Sequence, residues 1–145
     1  MAKAIVIYAT RTNETGKIAE LIAEGLSSAG LDVTMGKVSE MEKKGIKPEE
    51  YDAIVLGSAT YNGEMLQAMK TFLFTLEKMN LGKKVGGTFG AFGWSGEAPG
   101  RIFNTMKNVF KMKMADGPLK LKSASVKGGA TMARDYGKQI AKKVG

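Results

Sequence analysis

The sequence predicts a doubly wound α/β domain with five parallel strands in the order 2-1-3-4-5. Three observations carry that expectation. Short apolar runs alternate with amphipathic helical stretches along the chain. Such alternation calls for a parallel sheet covered by helices on both faces, joined by right-handed crossovers. Three loops rich in Thr, Gly and Asn follow the first, third and fourth runs, so they would meet on one rim of the sheet. A length of 145 residues is enough for one domain with a real core.

Lys3 to Ala9 is a continuous apolar run, as expected of a strand buried on both faces. Thr15 to Ala29 reads as a helix with Ile18, Leu21, Ile22 and Leu26 on one side and Gly30 as its stop. Residues 32–38 read as a second strand, and the polar stretch from Ser39 to Pro48 allows only a short helix. Tyr51 to Ser58 is the third strand. Met65 to Met79 is an amphipathic helix that turns Met65, Met69, Phe72, Leu73 and Leu76 inward. Lys84 to Phe92 is a glycine-rich fourth strand. Ala98 to Phe110 is expected to be helical, with Ile102, Phe103, Met106, Val109 and Phe110 facing the core. Pro118 to Ala124 alternates Leu and Lys, which suits an edge strand with one solvated side. Thr131 to Val144 closes the chain as a helix.

The composition excludes several function classes. There is no Cys and no His, so a thiolate metal site, a disulfide framework and a Ser-His-Asp hydrolase are ruled out. Difficult chemistry near neutral pH is then best delegated to a cofactor. No apolar run approaches the roughly 20 residues that span a bilayer, and no signal peptide is visible, so a cytoplasmic protein without a membrane partner is expected. Charge is uneven. Residues 1–75 hold 8 Lys/Arg against 10 Asp/Glu, and residues 76–145 hold 14 against 4. The basic half reads either as a solvated face or as a surface that steers an acidic partner. It lacks a nucleic-acid motif, so nucleic acid is not the expected partner.

The first loop, Thr10-Arg11-Thr12-Asn13-Glu14-Thr15, joins a buried strand to a helix N-terminus. Free N–H groups and the positive end of the helix dipole suit an anion there, and Thr hydroxyls add donors. Ordinary capping by Thr12 or Thr15 explains the loop equally well. The second loop, Ser58-Ala59-Thr60-Tyr61-Asn62-Gly63-Glu64, contains the dipeptide most tolerant of positive φ, and alone reads as a plain turn. The third, Phe89 to Gly96, places the chain's single Trp among glycines, where it can stack on a flat ligand or cap the core. The three together, at ends that meet in the proposed sheet, point to one ligand site.

These loops resemble those of the flavodoxin family, above all short-chain flavodoxins and the flavodoxin-like domain of flavodiiron proteins. The likeness covers essentially the whole chain. The family's phosphate loop, Ser/Thr-x-Thr-Gly-x-Thr, stands here as Thr10 to Thr15, with Asn13 in place of the usual Gly. Phe92-Gly93-Trp94-Ser95-Gly96 looks like the family's ring-stacking loop, and residues 57–63 like the loop on the other side of the flavin.

The resemblance implies FMN as cofactor, rather than FAD, and a low-potential carrier that shuttles single electrons between redox proteins. It implies cofactor-binding roles for Thr10, Arg11, Thr12, Asn13, Glu14, Thr15, Ala59, Thr60, Tyr61, Asn62, Gly63, Glu64, Phe92, Gly93, Trp94, Ser95 and Gly96. Within that set, Arg11 is expected to offset Glu14, and Glu64 to hold a ring N–H. The Asn62–Gly63 peptide is expected to switch on reduction. No catalytic residue and no metal site are expected. The alternatives are a two-electron quinone or porphyrinogen reductase and an activator of a metalloenzyme. The expected form is a monomer that meets redox proteins bearing acidic docking surfaces. No further domain, and so no diiron oxygen chemistry, is expected.

Overall fold

A computed structural model describes residues 2–93 and 95–145. The central strands are β1 (Lys3–Ala9), β2 (Asp32–Lys37), β3 (Ala53–Ser58) and β6 (Val85–Ala91), paired in parallel in the order β2-β1-β3-β6. The pattern of residues explains why β1, β3 and β6 lie in the middle. Every residue of β3 and β6, and all but the first of β1, is buried, as their unbroken apolar and small-residue character requires. A short antiparallel hairpin, β4 (Thr60–Tyr61) and β5 (Glu64–Met65), stands outside this sheet.

The fifth position differs from the expected single strand over 118–124. Two short strands share it. β7 (Lys113–Met114) pairs with the start of β6, and β8 (Leu119–Leu121) pairs with its end. The Asp116–Gly117 turn between them interrupts the edge, where the Asp116 carboxylate accepts the Gly117 N–H at 2.8 Å.

The side chains of β1 divide the core in two. Ala4, Val6 and Tyr8 pack under α1 (Glu14–Ser28) and α5 (Gly129–Val144). Ile5, Ile7 and Ala9 pack under α2 (Val38–Lys43), α3 (Gln67–Glu77) and α4 (Glu97–Asn104). Helices α1 and α5 approach closely enough that only glycine fits at the crossing. A Cβ on Gly25 would strike the Arg134 carbonyl, and one on Gly137 would strike the Ile22 carbonyl. From α5, the Tyr136 hydroxyl accepts the Thr88 N–H at 2.9 Å and so anchors the helix to β6. Burial pushes the Tyr136 phenol up to about 12.

The helix expected over 98–110 is also different. It is α-helical only to Asn104, and residues Thr105–Val109 form a π-turn, with the Phe110 N–H bonded to the Thr105 carbonyl five residues back. The wider turn rotates the later side chains. Val109, expected inward, is 53% exposed, and Phe103 is only partly buried, whereas Ile102, Met106 and Phe110 face the core as expected. Met65 is buried as expected, but from β5 rather than from a helix. Among the described residues, no helix is long and apolar enough to cross a membrane.

Candidate functional site

The carboxyl ends of β1, β3 and β6 lie side by side, because Tyr8 pairs with Gly57 and Gly57 with Phe89. The three loops that leave them therefore converge. Between them runs a cleft with two lobes of about 480 and 470 Å³ that share Arg11, Thr60 and Gly93.

The first lobe is lined by Thr10, Thr12, Glu14 and Thr15, by Ala59 from the end of β3, and by Ala91 and Phe92 from the end of β6. Asn13 is the N-cap of α1, at φ 68°, and no side chain caps the helix. The capping role open to Thr12 or Thr15 is thus not taken. The first helical bond runs from the Lys17 N–H to the Asn13 carbonyl. The N–H groups ahead of it leave a positive helix end at the cleft. Thr15 is fully buried, and its Oγ1 accepts the Ala91 N–H at 3.3 Å, which ties this loop to β6. A hydroxyl that accepts in this way still has its proton to donate. Thr10 Oγ1 is buried with no hydrogen-bond partner among the described residues. An orphaned buried hydroxyl costs about 1–3 kcal/mol unless something else satisfies it.

The second lobe is lined by Tyr61, Asn62, Gly63 and Ser95 in addition to the shared residues. Its turn is a two-residue connection between β4 and β5. Asn62 at φ 51° and Gly63 at φ 73° give the left-handed pair that such a hairpin needs. Three contacts hold the hairpin from outside. The Ser58 hydroxyl accepts the Leu66 N–H at 2.9 Å, the Thr60 hydroxyl accepts the Ala98 N–H at 3.0 Å, and Arg101 Nε donates to the Gly63 carbonyl at 3.2 Å. Tyr61 is half-exposed at the mouth of the cleft, with the Arg11 guanidinium 4.0 Å above its ring.

Some expected residues stand elsewhere. Arg11 stacks on Tyr61 and does not pair with Glu14, whose carboxylate lies 3.4 Å from Lys17 one turn along α1. Spacing on the helix explains that preference. Glu64 does not line the cleft, and its carboxylate lies 3.7 Å from Lys70 and 3.8 Å from Arg101. Gly96 is the N-cap of α4. The stacking role expected of Trp94 falls outside the described residues. Sequence reasoning missed Lys122, which lines the first lobe just beyond β8. Its signal was its place at the carboxyl end of the last strand, but the Leu-Lys alternation made it look like one more solvated lysine.

A phosphate monoester fits the first lobe. It would satisfy Thr10 and the free helix N–H groups, with Arg11 and Lys122 nearby against a single carboxylate, Glu14. The second lobe, with one aromatic face and little side-chain bulk, fits a flat ring.

The sequence model of the Flavodoxin domain family matches residues 5–141. The chain belongs to the flavodoxin family. FMN is the cofactor of that family, and the two lobes suit its two ends. A flavodoxin from the domain Archaea superposes with a TM-score of 0.88 at 34% identity, over 98% of both chains. An uncharacterized protein of Methanocaldococcus jannaschii is 30% identical over 96% of this chain and 36% of its own length. A nitric oxide reductase of Moorella thermoacetica is 34% identical over 67% of this chain and 25% of its own length. The rubredoxin oxygen:oxidoreductase of Desulfovibrio gigas shares the fold, with a TM-score of 0.90 at 24% identity. The flavodoxin domain here spans about a third or less of the curated relatives named.

Proposed function

We propose that this flavodoxin-family chain binds FMN in the cleft and passes single electrons between redox proteins. The observation that carries the reading is Thr10 Oγ1, buried without a partner among the described residues, on the wall of the cleft and beside an uncapped helix N-terminus. A hydroxyl left in that state at a cleft is most simply explained by a ligand that completes it.

In this reading Thr10, Thr12 and Thr15 donate to the phosphate, with the first N–H groups of α1. Arg11 and Lys122 balance its charge. Thr15 does more than bind, because its Oγ1 also fixes the Ala91 N–H and so sets the distance between the phosphate lobe and the 92–96 loop. Bound FMN supplies a ring that can take up electrons one at a time, and the protein tunes it by holding its forms unequally. Tyr61 excludes water from one face. The Asn62–Gly63 peptide is the part of the cleft that can turn, because both of its residues already lie where reorientation is cheap. Arg101, on the far side of the hairpin, holds the Gly63 carbonyl of the following peptide and so fixes one end of that turn.

A second reading has its own support. Curated relatives at least 30% identical include a nitric oxide reductase several times longer than this match. The same electron-carrying role would then serve a catalytic domain, in the same chain or a separate one.

The test is stepwise anaerobic reduction of the purified protein, followed in the visible spectrum, with the released ligand weighed by mass spectrometry. FMN and a one-electron-reduced form that accumulates before full reduction are expected. Reduction in a single two-electron step would instead support a reductase, and a protein that takes up no flavin would end the assignment.

A further inference from the structure

A second concave surface lies beside the hairpin, between α3 and the π-turn at Thr105–Val109. It is a groove of about 270 Å³. Its floor is apolar and buried: Met65, Leu73 and Phe110. Its two walls are Phe74, 68% exposed, and Val109, 53% exposed. These are two of the four large apolar side chains that stand exposed among the described residues. Exposed apolar residues scattered singly need no explanation, but two that face each other across an apolar floor form a contact surface. The π-turn puts Val109 there. An unbroken α-helix would have carried it inward. Wide turns of this kind are poorer in hydrogen bonding and recur at functional positions.

The charge around the groove is one-sided. The stretches that supply its two sides, residues 65–79 and 105–113, hold five lysines (70, 78, 107, 111 and 113) against one acidic residue, Glu77; of these charges Lys70 and Glu77 line the groove itself. The groove and the cleft flank the same hairpin. Met65 belongs to the hairpin, and Lys70 on the groove's edge lies 3.7 Å from Glu64 of the same hairpin. A protein seated in the groove would therefore sit next to the hairpin that lines the second lobe of the cleft.

From this arrangement we infer that the groove is the docking surface for an acidic electron-transfer protein, one that inserts an apolar side chain between Phe74 and Val109 and sets carboxylates against the flanking lysines. The inference rests on the electron-carrier reading and names its partner class and contact face. Carboxylates brought to Lys70 would compete with Glu64, so docking would loosen the hairpin at the moment of transfer.

The test uses the full chain loaded with FMN and two probes: a reduced acidic two-cluster ferredoxin as donor to the oxidised protein, and an oxidised basic c-type cytochrome as acceptor from the reduced protein. Stopped-flow gives the one-electron transfer rate with each, across ionic strength. Amide chemical shifts of the labelled protein, titrated with oxidised ferredoxin, map the contact. Lys107→Glu with Lys111→Glu is expected to lower the ferredoxin rate by about tenfold at low salt and to flatten its salt dependence. Phe74→Ala with Val109→Ala is expected to weaken the complex by about five- to tenfold without changing the salt dependence. The cytochrome should not be slowed by the charge reversal. Both double variants alter exposed residues, and unchanged FMN content and melting temperature will show that they fold.

Native ferredoxin rates in both variants, or shifted amides that avoid the groove, would overturn the docking surface and leave the carrier reading standing. A native protein that sediments as a dimer, with Phe74→Ala/Val109→Ala monomeric, would assign the groove to a second copy of this chain and overturn the inference in that way. A protein that holds FMN but exchanges no electron with either probe would end both together.

Discussion

The loop over residues 10–15 and the hairpin over 60–65 line one cleft, and each bends at an asparagine of positive φ, Asn13 at 68° and Asn62 at 51°. They are built differently around that shared bend. Behind Asn13 the chain enters a 15-residue helix, and Thr15 is locked to β6 from within the core. The Asn13 side chain folds over Gly16, where a Cβ would collide with it. Behind Asn62 there are only two-residue strands, tied at their base by the Ser58 and Thr60 hydroxyls and at the turn by the surface group Arg101, with Lys70 beside Glu64. The contrast separates two tasks. A loop that binds an unchanging phosphate profits from rigidity, whereas a loop beside a group that changes charge profits from two accessible states.

The strand that serves both loops gives the largest expected effect. Tyr136 holds β6, and its pKa is raised in the fold, so its share of stability is complete below the unfolded value near 10 and is lost as pH rises through about 12. The loss across that window is ~3 kcal/mol. Thermal melts of the native protein should fall more steeply there than those of Tyr136→Phe. Equal slopes would show that the phenol is not held by the fold.

Next comes Thr15→Ala, which strands the Ala91 N–H and removes a phosphate donor. Stability should drop by about 2 kcal/mol, and FMN affinity by about tenfold, measured by denaturant melts and by fluorescence titration of the apoprotein. Thr10→Val separates binding from folding. It removes an orphaned hydroxyl, so the apoprotein should be at least as stable as the native one, while FMN binding weakens by about 1 kcal/mol. A less stable apoprotein would mean that the hydroxyl has an unseen partner within the fold.

The hairpin should respond in the opposite manner. Gly63→Val places a branched side chain at φ 73°, a strain of about 1–2 kcal/mol. Binding of oxidised FMN should change less than in Thr15→Ala. The one-electron-reduced form should become scarcer by about tenfold, which moves each of the two potentials by ~59 mV, in opposite directions. An unchanged potentiometric titration would remove the hairpin's switching role. Smallest is Arg101→Gln, where the melting temperature should barely move, since exposed ion pairs contribute about 1 kcal/mol or less. Amide exchange at Asn62 and Gly63 should nevertheless quicken. If it does not, the hairpin is held by something other than Arg101.

The central architecture was legible because its signals are local. Three unbroken apolar strands, two amphipathic helices with clear stripes and turn residues at each boundary all agree with the final sheet. The rim site was legible as a convergence of loops for the same reason. What escaped depends on tertiary context. The stretch 105–110 has helical spacing, but nothing in its residues announces a π-turn, and so the fate of Val109 could not be read. β7 is two residues long and exists only because β6 offers free hydrogen bonds at its start. Glu64 looked like a ring ligand because of its neighbours in sequence, whereas its partners Lys70 and Arg101 come from two helices. Lys122 reaches the cleft only through the position of β8 against β6.

The glycine crossing of α1 and α5 has a consequence for how the molecule is made. Its two helices are separated by about a hundred residues of chain, so the contact is of high contact order and slow to close. During synthesis β1 and α1 emerge first, yet Ile18, Ile22 and Leu26 acquire part of their cover only when residues 129–144 have left the ribosome. Until then the part of that side of the nascent sheet that α5 covers lies open to other chains. A polypeptide that stops before Gly129 should therefore collect in aggregates or on chaperones, even though every residue of the three cofactor loops has already been made.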